Sequence, residues 1–165
     1  MSTENAAKPP YLGLLNAISL AERNAGLYLK AWADVTPDPE LRRALDLVAA
    51  RETTHGEVFR QRIERLGFSL LDKDDPELAE RLRVYGDAGR SDAEKVRAAR
   101  RRAAEGGADA FFASLDERVA DEWVDALTRD TLRWYVHEER DSRDLLRAAY
   151  ARIEDSERER TTTTR

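Results

Sequence analysis

The chain has 165 residues, with 28 lysines and arginines against 33 aspartates and glutamates, two histidines and no cysteine. That length suits one domain, and the net charge of −5 offers nucleic acid no general affinity. Without cysteine there are no disulfides, no thiol chemistry, no zinc fingers and no rubredoxin-type iron centre.

Residues 1–9 read as a flexible leader that lacks the basic-then-apolar order of a secretory signal. Tyr11, Leu14, Leu15, Ile18, Ala25, Leu29 and Trp32 share one helical face, which predicts a first helix over about residues 10–35. Thr36-Pro37-Asp38-Pro39 stops it and starts the next, with Asp38 as cap and Pro39 at the first position. The stripe of Leu41, Leu45, Val48, Phe59 and Leu66 carries a second helix over 39–66, ended by Gly67. So short a joint makes the pair an antiparallel hairpin.

Residues 67–90 read as a long crossover, with Asp72, Asp74 and Asp75, a short helical piece over 76–84, then Gly86 and Gly89. Ser91, with Glu94 three residues on, caps a third helix predicted over 91–118. Its Arg100-Arg101-Arg102 run reads as a solvated face, and its apolar part is Phe111, Phe112, Leu115 and Val119. A fourth helix, starting between Asp121 and Asp125, covers about 122–154 through Leu127, Leu132, Tyr135, Leu146 and Ile153. Residues 155–165, ending in threonines, read as a disordered tail. No segment alternates like a strand, and no apolar run approaches the roughly 20 residues that span a bilayer. The expectation is an all-α, cytoplasmic protein: two antiparallel helical hairpins joined by a long crossover into a four-helix bundle.

The apolar faces carry acids. Glu52 lies four residues past Val48 and His55 four before Phe59, so both point along the second helix's apolar stripe. Glu22, four past Ile18, does the same on the first helix. The two halves of the chain also align weakly: Ala21–Ala25 on Ala104–Ala108, and Leu45–Phe59 on Leu132–Leu146. That register sets Glu22 on Glu105, Glu52 on Glu139 and His55 on Ser142. Asp109, one turn past Glu105, is the alternative inward acid. Taken singly, Glu22 reads as a boundary residue and His55 as a hydrogen-bonded core histidine. Glu105 reads as an ion pair with Arg101 or Arg102, Glu139 as part of a solvated acidic face, and Tyr135 and the tryptophans as packing. Taken together, carboxylates buried at one height repel unless protonated or joined by a cation. Oxygen donors with one imidazole suit iron or manganese.

The set Glu22, Glu52-x-x-His55, Glu105 and Glu139 resembles the ferritin-like di-iron carboxylate superfamily, closest to its rubrerythrin-like and bacterioferritin-like members. The resemblance implies a ferritin-like bundle holding two irons per chain, or manganese. Glu52 and Glu139 would bridge, Glu22 and Glu105 would be terminal ligands, and His55 would bind one metal. Tyr135 and Ser142 would stand just behind the ligands. The departure is Ser142, where the family has a second histidine; His137, two residues from Glu139, points about 200° around the helix from it. The function implied is oxidation of Fe(II) by dioxygen or peroxide, in iron handling or oxidative-stress defence, with a separate electron donor and at least a homodimer. Charge and composition, independently of the resemblance, give the expectation of no membrane partner and no nucleic acid. The alternatives are a degenerate bundle serving as a scaffold, or an iron oxygenase with an organic substrate.

Overall fold

The computed structural model of the chain describes residues 8–106, 111, 114, 115, 117 and 124–163. Among these residues there are five helices and no strand. They are α1 (Leu12–Val35), α2 (Pro39–Arg65), α3 (Leu78–Tyr85), α4 (Asp92–Glu105) and α5 (Ala126–Thr163). None of them is long and apolar enough to cross a membrane.

The α1–α2 hairpin is built at its joint and then at two close approaches. Asp38 Oδ1 accepts from the backbone N–H groups of Glu40 at 3.0 Å and Leu41 at 2.8 Å, capping α2. Arg152 of α5 grips the same carboxylate at 2.9 and 2.5 Å and holds its pKa down at about 2. At its other end α2 closes on Gly67, whose φ of +85° is left-handed, and the Phe68 N–H returns to Ile63 O at 3.2 Å. Between these ends the two backbones nearly touch. A Cβ on Gly26 would stand 2.5 Å from Thr53 Oγ1, and one on Gly56 3.0 Å from Ser19 O. Ser19 Oγ donates to Gly56 O at 2.7 Å across the same contact. Glu22 is one turn from Gly26, and His55 adjoins Gly56, so these glycines set how near the two helices bring their polar groups.

The remaining helices complete the enclosure. The crossover is tied to α1 by Asn16, which donates to Leu71 O at 3.0 Å and accepts from Leu71 N–H at 2.7 Å. α3 then packs on α1, while α5 packs on both α2 and α4. Asp125 caps α5 through the Thr128 N–H at 3.0 Å and also accepts from Arg62 of α2 at 2.8 Å and Tyr11 at 2.6 Å.

Three expectations on helix extent change. The third helix stops at Glu105 instead of running to residue 118, because Gly106-Gly107 follows and each glycine costs a helix about 1 kcal/mol. The last helix continues to Thr163 in place of a disordered tail from 155. Its arginines and acids there pair along the helix, as Arg158 does with Asp155 at 3.0 Å. The junction expected at residues 118–122, with Val119, Asp121 and Trp123, lies outside the described residues, as do Phe112, Asp109, the final two residues and most of the leader.

The core is divided into two layers. One holds Leu15, Ile18, Phe59, Ile63, Leu132 and Tyr135. The other holds Leu29, Trp32, Leu45, Val48, Tyr85 and Tyr150. Along every main helix the same gap separates them: Ile18 from Leu29, Phe59 from Val48, Val136 from Leu146. Polar side chains fill it.

Candidate metal centre

Glu22 of α1, Glu52 and His55 of α2 and Glu139 of α5 meet in that gap. All are buried, His55 completely and the acids to within 8% of exposure. One donor atom from each lies within 4.8 Å of every other. Four donors about 2.1 Å from one ion lie about 3.0–4.2 Å apart, so the widest of these separations would have to shorten for a single cation to be held.

His55 Nδ1 sits 3.4 Å from Glu22 Oε2 and 3.3 Å from Glu139 Oε1. One N–H donates to one acceptor well, and Glu139 Oε1 is buried without a hydrogen bond of acceptable geometry among the described residues. Tyr135 donates to Glu22 Oε1 at 2.8 Å. The imidazole is further held between rings: Trp134 and Tyr135 meet it edge-on, with centroids at 5.0 and 5.3 Å.

The acids cannot all be ionised here. Burial pushes Glu52 up to about 12, reinforced by its hydrogen bond to Glu22 and by the charges of Glu22 and Glu139. Burial also raises Glu139, against the pull of His55. In Glu22 burial is outweighed by hydrogen bonds from Glu52, His55 and Tyr135, and its pKa falls below the usual range. For His55 burial favours the neutral ring, but the carboxylates of Glu139 and Glu22 beside it win and lift it to about 9. Protons on Glu52 and His55 thus supply the charge compensation that a cation held by the same four residues would give.

Of the five residues expected as ligands, Glu105 does not join. It is the exposed last residue of α4, since the helix ends there and carries it no deeper into the core. Ser142 is buried one turn from Glu139, but its Oγ accepts from Arg51 Nη1 at 3.4 Å, and that arginine also pairs with Asp141 at 2.5 Å. His137 is exposed. Arg100 and Arg102 pair with Glu154 and Glu77, at 3.3 and 2.9 Å. Sequence reasoning missed Trp134, read as packing, and Arg51; adjacency to Tyr135 and Glu52 was the signal each carried.

Three carboxylates and one imidazole make an oxygen-rich set that suits divalent iron or manganese. Compared with protein-family models, curated proteins and solved structures, the chain gives no match. The reading of this centre therefore rests on its own residues.

Proposed function

We propose that the chain is a ferritin-like metalloprotein that binds Fe(II) at Glu22, Glu52, His55 and Glu139 and oxidises it with dioxygen or peroxide. The observation that carries this is the convergence of three buried carboxylates and an imidazole from three helices on one point between two apolar layers. Such a cluster costs several kcal/mol unless its charge is compensated. The hairpin, the long crossover and the Glu52-x-x-His55 spacing support the ferritin-like four-helix reading, with α3 lying in the crossover.

Glu52 and Glu139 would hold the iron by carboxylates able to change their mode of binding, and Glu22 and His55 would complete its donors. Iron bound there supplies one-electron chemistry toward dioxygen or peroxide. Tyr135, bonded to Glu22, orients that carboxylate; the apolar layers above and below leave the acids only a few per cent exposed. With Glu105 exposed and Ser142 engaged by Arg51, two of the six ligands of a di-iron site are missing, so we assign one tightly held iron per chain where the resemblance implies two. The oxidant or an electron donor comes from outside, because the chain has no cysteine for a relay of its own. Self-association to at least a dimer and a cytoplasmic setting belong to the same proposal.

The test is Fe(II) consumption in air, followed with a ferrous chelator, for wild type and Glu52→Ala. Oxidation faster than buffer in wild type only supports the reading. Equal rates support a second one, a bundle that kept the fold as a scaffold, which the Arg51–Ser142 contact favours.

A further inference from the structure

We propose that the cleft beside the carboxylate cluster binds an organic anion, an apolar molecule with a carboxylate head held by Arg81 and Arg102. A cavity of about 600 Å³ opens between the α1–α2 hairpin and α4 and α5. That is within the size range of small-molecule sites. Its floor includes Glu22, Glu52 and Glu139, and its walls include Trp32, Val48, Leu146 and Tyr150. Room exists because the helices on either side offer alanines, Ala21 and Ala25 from α1 and Ala99 and Ala103 from α4.

The charges are sorted. Among the described residues that line the cavity, the only acids are the three on the floor, and every other charged residue is an arginine. Two of these, Arg81 and Arg102, converge over the ring of Tyr28, with Cζ atoms 5.8 and 6.0 Å from its centre. Their Nη2 atoms share a single acceptor, Glu77 Oε2, at 2.6 and 2.9 Å. Arg81 Nε is buried with no acceptor among the described residues. Two guanidiniums that meet at one carboxylate oxygen, one with an unanswered N–H in its fork, make a carboxylate cradle. Half-buried Asp75 holds Arg81 Nη1 at 3.2 Å, while Glu77 meets Nη2 from the solvent side with its side chain 67% exposed, and exposed ion pairs are weak enough to exchange. A ligand carboxylate can take that place while its apolar body lies along Tyr28 toward Tyr85 and Trp32. The opposite orientation would set the anion against the acids of the floor.

The proposal goes beyond the iron chemistry and does not depend on it, so it is tested on the metal-free chain. Binding of decanoate and of decan-1-ol to the purified full-length protein is measured by calorimetry, with folding checked by circular dichroism. Wild type is expected to bind decanoate at least about tenfold tighter than decanol, the worth of one charge-assisted hydrogen bond. Arg81→Met should weaken decanoate by about tenfold and leave decanol unchanged. Glu77→Gln should tighten decanoate, because the exposed competitor at the two Nη2 atoms is gone while Asp75 still holds Arg81 Nη1 in place. Ala99→Phe, on α4 and away from the cluster, should abolish binding of both while iron content stays as in wild type. No decanoate binding, equal affinity for acid and alcohol, or no response to Arg81→Met and Glu77→Gln would each overturn the proposal. Loss of iron binding without loss of decanoate binding would count against the metal reading alone.

Discussion

Tyr135 donates a 2.8 Å hydrogen bond to Glu22 Oε1, joining α5 to α1 while its ring meets His55 edge-on at 5.3 Å. The bond fixes the carboxylate of one helix from another. The same tyrosine ring closes the apolar layer below the cluster, with Phe59 edge-on at 5.2 Å.

Tyr135→Phe separates these two roles. The ring and its packing remain, so the loss in stability should be about 1 kcal/mol, one hydrogen bond. Metal affinity should fall about tenfold, the usual effect of removing a group that orients a ligand. Calorimetric titration with Mn(II), beside a thermal melt, checks both. An affinity unchanged within twofold would mean that Glu22 is held by other contacts.

Glu52→Gln asks whether Glu52 is a ligand or a core acid. Burial and the neighbouring Glu22 keep Glu52 protonated at neutral pH, and glutamine has nearly the shape of that protonated acid. The metal-free variant should therefore melt within a few degrees of wild type, while its Mn(II) binding is lost. A variant that unfolds but still binds metal would reverse the assignment.

The pH dependence of the metal-free chain has a definite sign. Glu52, raised from 4.5 to about 12, and His55, raised from 6.5 to about 9, both bind their protons more tightly when folded. The stability they confer is complete below the unfolded values and is lost as pH rises, from His55 between 6.5 and 9 and from Glu52 over the longer span. Glu22, whose pKa is lowered, changes its contribution only in the acid range. Melting temperature with a chelator present should fall between about pH 6 and about pH 9. Mn(II) should reverse the trend, because its ligands must be deprotonated, and the gain it confers should grow with pH. A metal-free melting temperature that rises over that range would contradict the proton arrangement.

Gly56→Ala tests how the close approach of α1 and α2 shapes the site. The new methyl would stand 3.0 Å from Ser19 O and 3.1 Å from Arg23 N, backbone atoms that yield only by moving the helix. Stability should drop by about 1–3 kcal/mol, and metal affinity should fall with it as Glu22 moves off His55. Denaturant unfolding and the Mn(II) titration measure the two. A stable variant that binds metal normally would show that the helix spacing has slack.

What was legible beforehand was local. Asp38, Gly67 and the Ser91–Glu94 pair act on backbone groups within a few residues, so the helix ends they make follow from chemistry at known spacing. The inward placement of Glu22, Glu52 and His55 follows from their four-residue distance to apolar neighbours, and that of Glu139 from its register on Glu52. Glu105 was placed inward by likeness between the two halves, while Gly106-Gly107 beside it, the stronger physical signal, ends the helix. The threonines at the end of the chain suggest disorder from 155, but the arginines and acids before them favour helix and carry it to Thr163. Arg51 on Ser142 and Trp134 on His55 depend on tertiary contacts whose only sequence signal is adjacency to Glu52 and Tyr135; Glu77 and Arg81 stand at i,i+4 spacing, but nothing local brings Arg102 to the same oxygen.

The measurement closest to the central claim is iron content by elemental analysis after anaerobic loading with Fe(II) and removal of loosely bound metal, for wild type and Glu52→Ala. One iron per wild-type chain and none in the variant is the expected result. Wild-type protein that emerges without iron would contradict it, and would leave the protons on Glu52 and His55 as the cluster's permanent solution.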